Sequence, residues 1–295
     1  MNEINDRILT KDDYILKESA DGAKITVRDL QLEILPIMDE IHRICVKHNV
    51  AYGLMAGSAL GIYNYKGFIP WDDDIDVCVL RSDWEKFVDA MKKELSPEFY
   101  FQCFATDPNY NVLIPTMKVR KRGTYIKEVN FLLKNKCKSG DGVFVDVIIY
   151  DSISVNKLQD EIYRSIIKVL MLPMVLLDNI GINPVFLKKA VTSIANHYSR
   201  INEDSSLISQ QVIIPWEKFL KEPVFLKSDV YPFKQYEFEG RYYYSYRNPE
   251  AILKQWYGPN CLRKWDGEKW VETLPIEKRK PKHIADLDLN HEHLK

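Results

Sequence analysis

Cys-x-x-Cys spacing is missing from this sequence, and its five cysteines (Cys45, Cys78, Cys103, Cys137 and Cys261) are scattered and odd in number. That argues against a disulfide framework or a structural zinc site and points to a reducing compartment. A charge excess is also missing. Net charge is −1, which leaves no overall electrostatic footprint for nucleic acid. The opening "MNEINDRILTKDDYILKE" is charged and has no apolar h-region, so the expected location is the cytoplasm. No uninterrupted apolar run is long enough to span a bilayer. The nearest, "IIKVLMLPMVLLDNIGINPVFL" at 166–187, is interrupted by Lys168, Pro173 and Asp178. It reads as a buried helix pair, with contact to a membrane surface as the alternative. Internal repeats and low-complexity tracts are absent.

What is present is an ordinary globular composition, 46% apolar and 28% charged, enough for a real core. Its 295 residues allow one large domain or two small ones. Residues 1–27 read as a polar leader with weak order. "RDLQLEILPIMDEIHRICVKHN" (28–49) has helical periodicity, and Pro36 should bend or break that helix. "VAYGLMAG" (50–57) reads as a strand, followed by a short helix with Ser58 near its start. "IDVCVL" (75–80) is a strand, and "RSDWEKFVDAMKKEL" (81–95) an amphipathic helix capped by Ser82. "FYFQCFA" (99–105), "IPTMKVRKRGTYIKEV" (114–129) and "GVFVDVIIYDSI" (142–153) read as strands. Residues 154–220 are mostly helical, 236–246 form a hairpin around Glu239-Gly240, and "PEAILKQWYG" (249–258) is a helix closed by Gly258. From 262 the chain is polar and should wrap the surface. The expected fold is a mixed α/β (α+β) core over 28–153, with a helical segment and a short C-terminal β/α segment over 154–295 packed on it.

The chemistry concentrates in "FIPWDDDIDVCVL" (68–80), where Asp72, Asp73, Asp74 and Asp76 fall within five positions. Carboxylates at i and i+2 on a strand share a face, so Asp74 and Asp76 converge while Ile75 turns into the core. Such a pair suits a hard cation with oxygen ligands, and Mg²⁺ (or Mn²⁺) suits phosphate chemistry. Asp72 continues the parity as an auxiliary. Asp73 has the opposite parity and is expected to be solvated or to cap a turn. Upstream, "AGSALG" (56–61) puts Gly57 and Ser58 at a strand-to-helix junction, where backbone N–H groups and a hydroxyl can receive a phosphate. Downstream, Asp146 lies in an otherwise apolar strand, where a lone charge is costly without a partner. If that strand neighbours 75–80, a carboxylate triad forms.

Gly57-Ser58, then Asp74 and Asp76, then Asp146 together resemble the nucleotidyltransferase-fold signature. The longer stretch "GSALGIYNYKGFIPWDDDIDVCVLRSDWEKF" (57–87) resembles the LicD family of phosphocholine transferases, whose relatives include fukutin-type sugar phosphotransferases. "MKVRKRGT" (117–124), "VFVDVIIYD" (143–151), "ILKQWYG" (252–258) and "PIEKRKPKH" (275–283) continue it. The chain departs from the family at Asn64-Tyr65, where Arg-His is frequent, and at "YYYSYRN", where a proline is usual.

The resemblance implies a cytoplasmic enzyme, peripheral at the membrane face if the acceptor is lipid-linked. It would transfer phosphocholine from CDP-choline to a hydroxyl of a glycan, as in lipopolysaccharide or a teichoic-acid-type precursor, with release of CMP. Asp74 and Asp76 would hold the metal, and Asp146 would bridge a second ion or take the hydroxyl proton. Gly57 and Ser58 would bind a phosphate. Lys118 would offset phosphate charge or be a solvated strand lysine. Arg81 would touch phosphate or pair with Asp83 or Glu85. Trp71, Tyr65 and Tyr63 are the candidates for a choline cage, with core packing as the alternative. His283 would contact substrate or lie on the surface. The other readings are transfer of another CDP-linked group (ribitol phosphate, glycerol phosphate or phosphoethanolamine), nucleotidyl transfer, and a catalytically inactive nucleotide-binding module.

Overall fold

The structure, a computed structural model, describes residues 11–103, 117–128, 142–210, 224–268, 270–275 and 278–290. Of the segments read above, 1–10, 104–105, 114–116, 129 and 211–220 lie outside these residues, as does Cys137. The second half of the supposed leader is ordered: β1 (Ile15–Glu18) and β2 (Lys24–Thr26) pair antiparallel. Thr26 then caps α1 (Val27–Lys47). Its hydroxyl accepts from the Asp29 amide, while the Asp29 carboxylate accepts from the Thr26 amide. Pro36 does not break this helix, which runs 21 residues through that position. The carbonyl that loses its partner belongs to Leu32, a half-exposed residue, so water can satisfy it.

β3 (Tyr52–Leu54) is shorter than expected, because Ala56 already begins α2 (Ala56–Tyr65). β4 (Asp76–Leu80) leads through a 3₁₀ turn at Arg81–Asp83 into α3 (Trp84–Glu94). That turn displaces the expected cap: Asp83, not Ser82, precedes α3, and its side chain makes no capping bond. The remaining core strands are β5 (Phe99–Cys103), β6 (Met117–Lys121), β7 (Tyr125–Glu128) and the ten-residue β8 (Phe144–Ile153). α4 (Lys157–Asn179) and α5 (Val185–Ile201) form a helical pair, and β9 (Leu207–Gln210) interrupts the stretch read as helical. β10 (Val224–Leu226), α6 (Lys227–Val230) and the hairpin β11 (Lys234–Phe238) to β12 (Arg241–Ser245) follow. α7 (Pro249–Tyr257) ends at Gly258, whose φ of 94° suits glycine. The tail is more than a wrap: β13 (Lys264–Trp265) pairs with β14 (Trp270–Val271), and β15 (Ile284–Asp288) pairs with β7.

Nine of the described strands build one mixed sheet in the order β10-β9-β8-β4-β3-β12-β11, with β6 also on β8 and β5 on β6. Strands from both sides of residue 153 contribute to it. β4 and β8 run parallel at its centre, and β8 carries β6 along its first half and β9 along its second. Alternation divides the burial. Val77 and Val79 of β4 join Val145, Val147 and Ile149 of β8 under α1 and α3. Cys78, Leu80 and Tyr150 face the other way, under α2 and α7. A third apolar cluster joins α4 to α5, with Tyr163 stacked on Tyr198 at 3.8 Å.

α2 is locked to the loop that carries the acidic motif. A Cβ built on Gly61 would lie 2.3 Å from the Gly67 carbonyl oxygen, and no flexible side chain is there to yield. Gly61→Ala is therefore expected to destabilise the fold by about 1–3 kcal/mol, the cost of forcing packed backbone apart. Urea denaturation of the variant against the parent measures this.

Candidate functional site

The acidic motif sits where β4 begins, on the α2 and α7 face. Parallel register puts Asp76 directly beside Asp146 of β8, and antiparallel register puts Asp146 directly beside Lys118 of β6. Residues paired this way project to one face, so three adjacent strands present a carboxylate, a carboxylate and an ammonium in a row. The Lys118 Nζ donates to Asp146 Oδ1 at 2.6 Å and lies 3.5 Å from Glu128 Oε2. It also sits 3.5 Å from the centroid of the Phe144 ring. Lys118 is buried, which overturns the solvated reading of it. Ile75 is fully buried in the core, as parity required.

Ser58 lies in the first turn of α2 and its hydroxyl accepts the Asp76 amide at 3.0 Å. It thereby ties the helix start to the strand start. A Cβ built on Gly57 would lie 2.8 Å from Asp72 Oδ2, so only glycine lets the Asp72 carboxylate approach this turn. From the other side, the buried Gln31 of α1 donates to the Asp72 carbonyl at 2.9 Å and fixes the loop before β4.

Asp73 is no solvated bystander. It is 1% exposed and accepts from the backbone amides of His283 and Ile284, both at 3.0 Å, and from His283 Nδ1 at 2.8 Å. It lies in the loop ahead of β4, which begins only at Asp76, and its carboxylate meets the C-terminal segment. His283 does lie at the surface, its side chain about half exposed, and its Nδ1 also lies 3.1 Å from Asp74 Oδ2. Potential ligand atoms of Asp72, Asp73, Asp74 and His283 all lie within 4.8 Å of one another.

The electrostatics follow from that crowding. Burial and the neighbouring acids hold Asp74 and Asp76 well above the usual carboxylate range, and Asp72 is pushed up to about 7 for the same reasons. Burial also raises Asp146, against the pull of Lys118. His283 loses some basicity to burial, yet the hydrogen bond to Asp73 and the charges of Asp74 and Asp72 bring it up to about 10. Asp73 alone is lowered: its bonds to His283 and Ile284 outweigh the cost of burial. Five carboxylates thus face a lysine and a histidine, an all-oxygen excess of negative charge that suits a hard divalent cation.

Two expected contributors lie elsewhere. Arg81 follows the far end of β4, about 16 Å along the strand from Asp76. Its guanidinium pairs with Asp151 at 2.6 and 3.0 Å and with Asn196 at 2.9 Å, not with Asp83 or Glu85. It lines a separate cavity of about 930 Å³ together with Tyr150, Ser199 and Lys227. Tyr63 is 44% exposed and donates to Glu250. Trp71 and Tyr65 do meet, 6.4 Å apart and edge to face, but cations already stack on them. Arg279 lies 5.9 Å from the Trp71 centroid and Arg263 4.7 Å from that of Tyr65. Tyr65 also donates to Glu272.

Sequence reasoning missed Tyr257, at the end of α7, whose phenol is held well above its usual range by burial first and then by the charges of Asp76, Asp72 and Asp74. Only its place in "QWYG" marked it.

Residues 49–156 match the family described as LicD/FKTN/FKRP, nucleotidyltransferase domain. Over 71 residues the chain is 44% identical to the lipopolysaccharide cholinephosphotransferase LicD of Haemophilus influenzae, covering 24% of this chain and 27% of that protein. It is 28% identical over 76 residues to an uncharacterized protein of Rickettsia prowazekii, 26% of each chain. An uncharacterized protein of Rickettsia typhi is 29% identical over 68 residues, 23% of this chain and 20% of that one. The matched stretch spans 20–27% of the length of these relatives.

Asp73→Ala removes the acceptor from the backbone amides of Lys282, His283 and Ile284 at once. The expected loss is about 1–3 kcal/mol, that of leaving buried polar groups unpaired. Hydrogen exchange should quicken at 282–284 in this variant and stay unchanged in Asp72→Ala.

Proposed function

We propose, from the match of residues 49–156 to the LicD/FKTN/FKRP nucleotidyltransferase-domain family, that the chain is a metal-dependent transferase. It moves phosphocholine from CDP-choline to a hydroxyl of a glycan acceptor, of the lipopolysaccharide or teichoic-acid type, and releases CMP. The observation that carries this reading is the row Asp76, Asp146 and Lys118 across three strands, with Asp74 two residues before it. The named Haemophilus relative supplies the phosphocholine and the lipopolysaccharide.

Asp74 and Asp76, with Asp72 beside them, are the residues to hold Mg²⁺ or Mn²⁺. The ion, when bound, neutralises the diphosphate and stabilises the departing CMP. Ser58 fixes the strand start, so Asp76 is held in place by backbone. Asp146 takes the proton of the attacking hydroxyl. Burial makes it more basic than an ordinary carboxylate, and Lys118 orients it through one oxygen while the other remains for the acceptor. Lys118 also supplies positive charge at the reacting centre.

The arginines over Trp71 and Tyr65 favour a second reading of the donor. A choline headgroup would have to share either ring with a guanidinium of like charge, whereas a polyol phosphate such as ribitol or glycerol phosphate would not.

Release of CMP from CDP-choline, CDP-ribitol, CDP-glycerol and CDP-ethanolamine, with glycan acceptors present, decides between the readings. Asp74→Ala and Asp76→Ala should each lower CMP release at least about 100-fold without lowering the melting temperature, and chelation should abolish CMP release reversibly. Full turnover in either variant, or pyrophosphate as product, would overturn the assignment.

A further inference from the structure

α4 has two apolar faces, and the fold uses one. Tyr163, Ile167, Met171 and Met174 pack on Val191 and Tyr198 of α5. On the other side Leu158, Ile162, Ile166, Val169, Leu172 and Leu176 are each 45–69% exposed. They recur every three or four residues, averaging the helical repeat, so they form one continuous stripe. Its length is about 27 Å over these 18 rises. Ile180, Ile182 and Phe186, 50–70% exposed, carry apolar surface on through the turn into α5. A helix apolar on both sides is ordinarily buried on both, and a stripe of this size marks a docking surface.

The occupant is indicated by charge. Of the charged side chains described as exposed on α4 and α5, Lys157, Lys168, Lys189 and Arg200 are basic and Glu161 is acidic, although the overall net charge is −1. Lys157, Lys168 and Lys189 are exposed on this helix pair, and none of them lies within the stripe. Apolar stripe and basic flank together describe an element that lies in the plane of an anionic bilayer, with its lysines at headgroup level. None of the described helices is long and apolar enough to cross a membrane. α4 is moreover pinned to α5 along its inner face.

We propose that the outer face of α4 docks the protein on anionic lipid headgroups. The purpose assigned to this docking, bringing the site to a lipid-carried acceptor, rests on the function proposed above. The docking itself does not, and it is read without turnover.

The full chain is sedimented with vesicles of phosphatidylglycerol and phosphatidylethanolamine, and with vesicles of phosphatidylcholine alone. Wild type should pellet with the first and at least about tenfold less with the second. The triple variant Leu158→Glu, Val169→Glu, Leu176→Glu should lose at least about tenfold of the binding to anionic vesicles, and the same triple to Ser should lose most of it. Both variants should keep the wild-type melting temperature and, on a water-soluble acceptor, the wild-type CMP release. Wild type left in the supernatant with both vesicle types, or variants that bind as well as wild type, would overturn the proposal. So would a wild-type dimer that the Ser triple turns into a monomer, since the stripe would then belong to a second copy. CMP release absent from every protein while vesicle binding follows the prediction would reject the transferase reading and leave the docking face standing.

Discussion

Five buried or half-buried carboxylates in one corner repel one another, and much of the surrounding structure compensates for that repulsion. Lys118 reaches Asp146 from β6, and His283 reaches Asp73 and Asp74 from just before the last strand. Three backbone tethers hold the loop in place: the Ser58 hydroxyl on the Asp76 amide, Gln31 on the Asp72 carbonyl, and the Asp73 carboxylate on three amides of the tail. What is left uncompensated is negative and lined with oxygen, which is the condition for cation binding and phosphate chemistry. The same repulsion that costs the fold stability is what a charge of the other sign would relieve.

The two ends of β4 have opposite electrostatic characters. At its start the acids outnumber their cations. At its end Arg81 is matched by a bidentate carboxylate and an amide. A fully paired arginine is a structural strut between β8 and α5. That division explains why a short motif running from Asp72 to Arg81 contains both the chemistry and the attachment of the helical segment.

Local order made much of this legible. Strand parity separated Asp74 and Asp76 from Ile75, and an aspartate within an apolar strand announced that Asp146 needed a partner. The Glu239-Gly240 turn and the Gly258 helix end followed from backbone preferences that act over a few residues. Parity alone could not say what Asp73 faced, because its partners lie more than 200 residues away and no spacing rule reaches that far. Pro36 misled for a physical reason: the carbonyl it orphans lies on a half-exposed stretch of helix, where the penalty is small. Ser82 misled because a 3₁₀ turn intervened, and Arg81 because its two plausible acids next door were outcompeted by Asp151 across the sheet. The outward stripe of α4 was visible as apolar sequence, but its exposure is a property of the assembled fold.

The anchoring of Asp73 has a consequence for how the chain comes to be folded. The amides that satisfy it belong to residues 210 and 211 positions further on. On a ribosome, β3, β4, α1 and α2 emerge long before those residues do, and domains fold as they appear. Until those residues follow, the acidic loop is a cluster of mutually repelling charges with neither His283 nor the tail amides to hold it. The segment that closes this acidic corner is made about 210 residues after the corner itself.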